Sequence, residues 1–287
     1  MDTSELIKKV RRIEIKTRGL SQNIFAGEYH TAFKGRGMTF SEVREYQYGD
    51  DVRSIDWNVT ARFNRPYVKV FEEERELTLI LLIDISGSRN FGTRVMQKKD
   101  LIAEVAATLA FSSLQNNDKV GVIMFSDRIE KFIPPQKGRK HVLHIIRELL
   151  DFEPKSKRTD ISMALQYFTN AIKKRSTAFI ISDFLCDGFD KDLMIANRKH
   201  DIAALEISDP REMTMPDVGL VKFKDAETGE RLWIDTGDKA VRSQYEKQQA
   251  QHREKVHDLF AKSGVNYVNM STDGDYVKAL MKLFKMR

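Results

Sequence analysis

Apolar positions along this chain fall into two spacings that alternate from residue 77 onward. Leu77–Ser86 (LTLILLIDIS) is an almost unbroken apolar run that closes on polar residues. A parallel strand buried on both faces has that pattern. In Gln97–Leu114 the spacing changes. Leu101, Val105 and Leu109, and beside them Ile102, Ala106 and Ala110, recur every four residues, which predicts a helix. Val120–Ser126 predicts a second strand, and Lys131–Ile133 a short third strand stopped by Pro134 and Pro135. His141–Leu150 and Ile161–Lys174 predict helices; Ala178–Asp183 and Ile202–Ile207 predict buried strands. Val221–Phe223 and Arg231–Ile234 flank Thr228–Gly229 and predict an inserted hairpin. A long helix over Lys239–Lys262, a strand over Val265–Met270 and a helix over Tyr276–Lys285 complete the series. Strands alternating with helices, joined by right-handed crossovers, make an α/β fold with a doubly wound, mostly parallel sheet. Such sheets carry their sites beyond the carboxyl ends of the strands, where the strand order reverses.

The pattern is different upstream of Glu72–Glu76. Ser4–Arg18 predicts a helix with a serine N-cap, and Val68–Phe71 a strand. Gly35-Arg36-Gly37, Gly49-Asp50-Asp51 and Asp56-Trp57 mark a turn-rich stretch between them. The expected organisation is therefore residues 1–76 as a helix plus a small β-rich subdomain, and residues 77–287 as the α/β domain.

Composition narrows the class. Of 287 residues, 41% are hydrophobic and 31% charged, which suits a globular chain. The first twenty residues are charged throughout and lack the apolar centre of a secretory signal. No apolar run approaches the ~20 residues of a membrane span. One cysteine, Cys186, leaves no internal disulfide framework or multi-cysteine zinc site. A reducing, cytoplasmic location is the expectation. The net charge of +6 admits acidic partners or nucleic acid. The excess is modest and dispersed, so a solvated surface accounts for it better than a nucleic-acid footprint.

The first buried strand ends in Asp84-Ile85-Ser86-Gly87-Ser88. A carboxylate and two hydroxyls at i, i+2 and i+4 share one side if the chain stays extended, and hard oxygen donors suit Mg²⁺ or Mn²⁺. Thr159-Asp160 opens a helix in a second oxygen-rich loop, and Ser182-Asp183 ends a later strand. The same residues also suit loop and helix capping, Asp160 above all.

Asp84-x-Ser86-x-Ser88, with Thr159 and Asp183 in later loops, resembles the metal-ion-dependent adhesion site of von Willebrand factor A domains, whose sheet is Rossmann-like. Upstream, Gly35-x-Gly37-x-x-Phe40-Ser41-x-x-Arg44-x-Tyr46 and Tyr48-Gly49-Asp50-Asp51-x-Arg53-x-Ile55-Asp56-Trp57-x-x-Thr60-Ala61-Arg62 resemble the signature of the bacterial "domain of unknown function 58" family. That family joins this segment to an A-type domain, and its members are often encoded beside MoxR-class AAA+ ATPases. The resemblance implies that Ser86, Ser88 and Thr159 offer hydroxyl oxygens to a divalent ion, and that Asp84 and Asp183 supply charge directly or through water. It implies one open position for a carboxylate of a MoxR-class ATPase or client protein. Arg89 stands where many A domains have an apolar residue; it would repel the ion or help capture the carboxylate. Asp50, Asp51, Arg53, Asp56 and Arg62 suggest buried ion pairs with Trp57 as a packing anchor, or else a docking surface for the partner.

A non-enzymatic, metal-dependent protein-interaction module is the leading expectation. A phosphoester hydrolase built on Asp84, Asp160 and Asp183, and a basic nucleic-acid-binding module, are the alternatives. The chain has no GxxxxGK[ST], no GxSxG and no HExxH. His141 and His144, like His252 and His257, read as surface or helix-terminal residues. Cys186 reads as a small buried residue beside the site.

Overall fold

A computed structural model describes residues 3–20, 39–72, 77–92, 96–225 and 229–286. The Gly35-Arg36-Gly37 turn, most of the acidic Glu72–Glu76 run and Thr228 lie outside the described residues. The chain divides into two compact units, Met1–Phe33 with Thr78–Arg287, and Lys34–Leu77.

In the larger unit, helix α1 (Thr3–Leu20) precedes the excursion into the smaller one. The smaller unit holds β1 (Thr39–Glu45), α2 (Trp57–Phe63) and β2 (Tyr67–Glu72). The larger unit resumes with β3 (Thr78–Asp84), α3 (Lys98–Gln115), β4 (Lys119–Phe125), β5 (Ile129–Gln136), α4 (Arg139–Asp151) and α5 (Ile161–Ala171). It continues through β6 (Thr177–Ser182), α6 (Asp190–Lys199), β7 (Asp201–Ser208) and the single turn α7 (Pro210–Met213). The hairpin β8 (Leu220–Lys224) and β9 (Arg231–Asp235), then α8 (Lys239–Ser263), β10 (Asn266–Ser271) and α9 (Tyr276–Lys285), complete the chain.

The main sheet has six strands in the order β10-β7-β6-β3-β4-β5, all parallel except β5. Strand order reverses between β3 and β6, which is the switch point of a doubly wound sheet. The continuous apolar run of β3 is explained by its central place. Ile80 and Leu82 pack with Ile161, Leu165 and Phe168 of α5, Phe189 just before α6, and Phe260 of α8. Leu79, Leu81 and Ile83 are fully buried as well. Helix α3 is buried over most of its circumference, so one sheet contact cannot satisfy it. Helix α1 lies against α3 and α4, with Thr17 fully buried and Lys16 Nζ 2.5 Å from Glu104. The N-terminal helix thus belongs to the larger unit, whereas the sequence pattern grouped it with residues 1–76.

Strand β5 also departs from expectation, because it runs through Pro134 and Pro135. It is the sheet edge, where a missing N–H costs no ladder bond, and its pairing with β4 shifts register between Val120 and Val122. Gly121 sits at that shift. A Cβ there would stand 2.9 Å from Pro135 N and 3.0 Å from Ile133 O.

In the smaller unit, β1 and β2 form an antiparallel ribbon. Asp50 holds Arg44 by two hydrogen bonds of 2.8 Å and accepts from Gln47 N. Asp51 caps the turn Val52–Ser54, and Asp56 caps α2 while lying 3.5 Å from Lys69.

Gly121→Ala is expected to lower stability by about 1–3 kcal/mol, because its Cβ meets backbone rather than a side chain that can rotate away. Urea unfolding measures this, and an unchanged midpoint would contradict the packing described. His200 supplies a second check. It is fully buried against Phe168, with Ser176 Oγ 3.0 Å from Nδ1. Burial first, then Lys199 and Arg175, pushes its pKa down to about 4. A depressed base must take up its proton on unfolding. Stability from His200 is therefore present above about pH 6.5 and lost as pH falls toward 4. A His200→Leu variant is expected to lack that acid-side loss in unfolding measured across this range.

Candidate functional site

The carboxyl ends of β3 and β6 bring the oxygen-rich loops together. Asp84 is 4% exposed and ends β3. Its Oδ1 accepts from Ser86 N at 2.9 Å, and its Oδ2 accepts from the Ser182 hydroxyl at 2.6 Å. No cationic side chain is ion-paired with it among the described residues. Burial first, then the Asp183 carboxylate, pushes its pKa up to about 7. An uncompensated buried charge of this kind is what a bound cation relieves.

The chain beyond Asp84 does not stay extended, because Gly87–Asn90 forms a 3₁₀ turn. The turn still brings Ser86 Oγ and Ser88 Oγ to 3.1 Å. Two adjacent ligands of an octahedral Mg²⁺ with oxygens at ~2.1 Å lie about 3.0 Å apart, so the spacing fits. Gly87 N donates to Lys157 O at 2.9 Å, and Asp160 N donates to Ser126 O at 3.0 Å. The first bond places the loop that carries Thr159 against the Ser86–Ser88 loop, and the second ties it to the chain just after β4. Asp160 caps α5 through Met163 N, which is the capping role.

Asp183 follows β6. Phe184, the next residue, holds a left-handed φ of +54° although it is not glycine, a conformation costing about 1–3 kcal/mol. Three contacts fix it: its N donates to Ser182 Oγ at 3.1 Å, its ring is buried on Phe260, and its carbonyl lies 2.9 Å from His252 Nε2. His252 is therefore a support of the site loop rather than a surface residue. Asp183 Oδ2 lies 3.1 Å from Lys98 Nζ, and that ammonium also pairs with Glu212. Sequence reasoning missed both Lys98 and Glu212. The pattern offered no signal, since a lysine in the first turn of a helix reads as solvated.

Arg89 donates from a terminal nitrogen to Phe152 O at 2.6 Å, while its Nε is buried with no hydrogen-bond partner. Burial lowers its pKa, and the nearby Asp84 charge opposes that effect. Cys186 is half-buried, and burial, aided by Asp84, Asp183 and Asp160, pushes its thiol up to about 12. A thiol so placed is no nucleophile. Phe91 and Leu185 are 40% and 46% exposed beside these loops. No group of three or more His, Cys, Asp or Glu side chains is placed to hold a metal among the described residues. What the loops bring together is one carboxylate without an ion-paired cation, with neighbouring hydroxyls. No helix among the described residues is long and apolar enough to cross a membrane.

The smaller unit is described by itself. Asp50, Asp51 and Asp56 make the local caps and pairs given above. Asp50 and Asp56 do pair, with Arg44 and Lys69, but these pairs are only partly buried, and Asp51 is exposed. Trp57 is 67% exposed and is not a packing anchor. Tyr48, Val52 and Phe63 are exposed too, as are Arg53 and Arg62.

Comparison with known proteins gives the following. Residues 42–255 match the family model "Protein of unknown function DUF58". The uncharacterized protein Rv1480 of Mycobacterium tuberculosis is 30% identical over 290 residues, covering 100% of this chain and 91% of that protein. The uncharacterized protein YeaD of Bacillus subtilis is 30% identical over 109 residues, or 38% of this chain and 25% of that protein. Among solved structures, BatB of Bacteroides thetaiotaomicron aligns at a TM-score of 0.49 and 15% identity over 73% of this chain and 98% of that one. A mussel byssus proximal thread matrix protein, described with a zinc-occupied MIDAS motif, aligns at 0.35 and 18% identity over 46% of this chain and 38% of that one.

The raised pKa of Asp84 makes a signed prediction. Between its ordinary value near 3.8 and about 7 the folded protein binds the extra proton. The Asp84 contribution to stability is therefore largest at low pH and lost as pH rises through about 7. Asp84→Asn is expected to stabilise the chelator-treated protein at pH 8, relative to wild type, by a few kcal/mol. That difference should vanish near pH 4. Urea unfolding of both proteins across this range checks it, and a difference independent of pH would contradict it.

Proposed function

We propose that this chain, which belongs to the DUF58 family, is a protein-interaction module that grips a carboxylate of its partner through a divalent ion at the carboxyl edge of its sheet. The observation that carries the reading is the buried Asp84 carboxylate, without a cationic partner among the described residues, beside two hydroxyl oxygens 3.1 Å apart. Mg²⁺ or Mn²⁺ suits such donors, and when bound it supplies the positive charge that Asp84 lacks and a position for an acidic ligand. Ser86, Ser88 and Thr159 would hold the ion by their hydroxyls, with Asp84 as the charged member and Asp183 at the rim.

The chain's own residues prepare that role. Ser182 orients Asp84 Oδ2, and Ser86 N orients Oδ1, so the carboxylate is fixed before any ligand arrives. Arg89 lies within electrostatic reach of Asp84 and has an unpaired buried Nε. It would meet the incoming carboxylate rather than the ion. Phe91 and Leu185 would give the partner apolar contact around the charged centre. The exposed Trp57 with Tyr48, Val52 and Phe63 offers a second contact surface on the smaller unit. The family resemblance makes a MoxR-class AAA+ ATPase, or a client of one, the partner to test first.

Calorimetric titration of Mg²⁺ and Mn²⁺ into chelator-treated protein tests the ion. Asp84→Ala is expected to abolish binding, and Ser86→Ala to weaken it about tenfold or more, since even outer-shell changes weaken metal sites by that much. Capture of the ATPase should then need the ion and should be lost in a folded Asp84→Ala protein. Ion-dependent capture retained in that variant would sink the proposal.

A further inference from the structure

Lys98 opens α3, just after the loop that carries Ser86 and Ser88, yet its side chain is 1% exposed. Lysine normally keeps its ammonium in water, and withdrawing it costs desolvation and side-chain entropy. Here two carboxylates meet it. Asp183 Oδ2, beyond β6, is 3.1 Å away, and Glu212 Oε1, in α7 beyond β7, completes the pair. Glu212 is itself fixed in place. Its Oε2 accepts from Asp209 N at 3.0 Å, and its carbonyl accepts from the Tyr245 hydroxyl at 2.9 Å. The ammonium is thus built in from three elements rather than caught at a surface.

The two acids of the site are consequently unlike. Asp84 accepts from a backbone amide and a hydroxyl and has no ion-paired cation among the described residues. Asp183 already has a cation. We propose that Lys98 is a resident counter-ion, shared between Asp183 and Glu212, that offsets the charge Asp183 presents to the site, so that Asp84 is the acid without a paired cation that meets the divalent ion and the ion is held weakly until a partner carboxylate joins it. This rests on the metal reading above and deepens it. One carboxylate offsets half the charge of a divalent ion, and the partner's carboxylate offsets the rest. Lys98 thereby makes ion and partner bind together instead of in sequence.

The experiment is calorimetric titration of Mn²⁺ into the chelator-treated full chain, with far-UV circular dichroism to establish folding. Lys98→Met is expected to tighten Mn²⁺ binding about tenfold or more, since a nearby positive charge is removed. Lys98→Met/Glu212→Gln is the safer variant for folding. It removes one charge of each sign, so the net charge is unchanged while Asp183 is released, and it too should bind more tightly than wild type. Glu212→Gln alone leaves the ammonium with Asp183 as its one acid and should weaken binding. Binding by the double variant when wild type shows none would support the proposal most directly. Folded variants that all bind Mn²⁺ as wild type does would overturn this inference and leave the metal reading standing. No binding by wild type or by any folded variant would overturn both.

Discussion

A carboxylate at the end of a strand buried on both faces has little water to hold its charge, and Asp84 is such a group. Strand β3 lies in the middle of the sheet, beside β6, and is apolar enough to be covered on both sides. That placement desolvates its last residue. The surroundings answer with dipoles instead of a cation: the Ser86 amide on one oxygen and the Ser182 hydroxyl on the other. Each is worth about a kilocalorie or two, less than desolvation takes away. Asp84 is therefore left buried without an ion-paired cation among the described residues.

Holding the site loops has local costs. Phe184 adopts a left-handed backbone that a bulky residue avoids, and it does so between Asp183 and the apolar rim residue Leu185. The ring packing of Phe184 against Phe260 and the contact of its carbonyl with His252 offset that strain. Both supports come from α8, the long helix after the inserted hairpin. Glu212, in the turn leading into the hairpin, reaches Lys98 from the same side of the chain order. The segment between β7 and β10 thus serves the site although none of its residues carries the metal-site pattern.

The smaller unit follows a different rule. Its acids are spent on its own turns, with Asp50 on Arg44 and with Asp51 and Asp56 as caps. Its surface exposes Tyr48, Trp57, Phe63, Arg53 and Arg62 alongside Glu42, Glu45 and Asp51. Capping motifs are satisfied within a few residues, so polar signature residues can be structural while the apolar ones beside them stay exposed. Trp57, expected as a packing anchor, is exposed instead.

Much of the larger unit was legible in the sequence because its signals are local. A continuous apolar run means a strand buried twice, and four-residue spacing means a helix; β3, α3, β6, β7, α8 and α9 follow from these alone. The Asp84-Ser86-Ser88 triplet was legible for the same reason, being held in one loop, as was the Asp160 cap. Three things were settled only by tertiary structure. Helix α1 joined the larger unit because α3 is apolar around most of its circumference and needs a second cover. The prolines of β5 were accommodated because that strand lies at an edge, which no local spacing reveals. Lys98 was buried because the crossovers bring to it a carboxylate 85 residues away. Periodicity records what a residue does to its own helix or strand. Whether a charge meets its counter-charge depends on which strand ends become neighbours, and the folded sheet decides that.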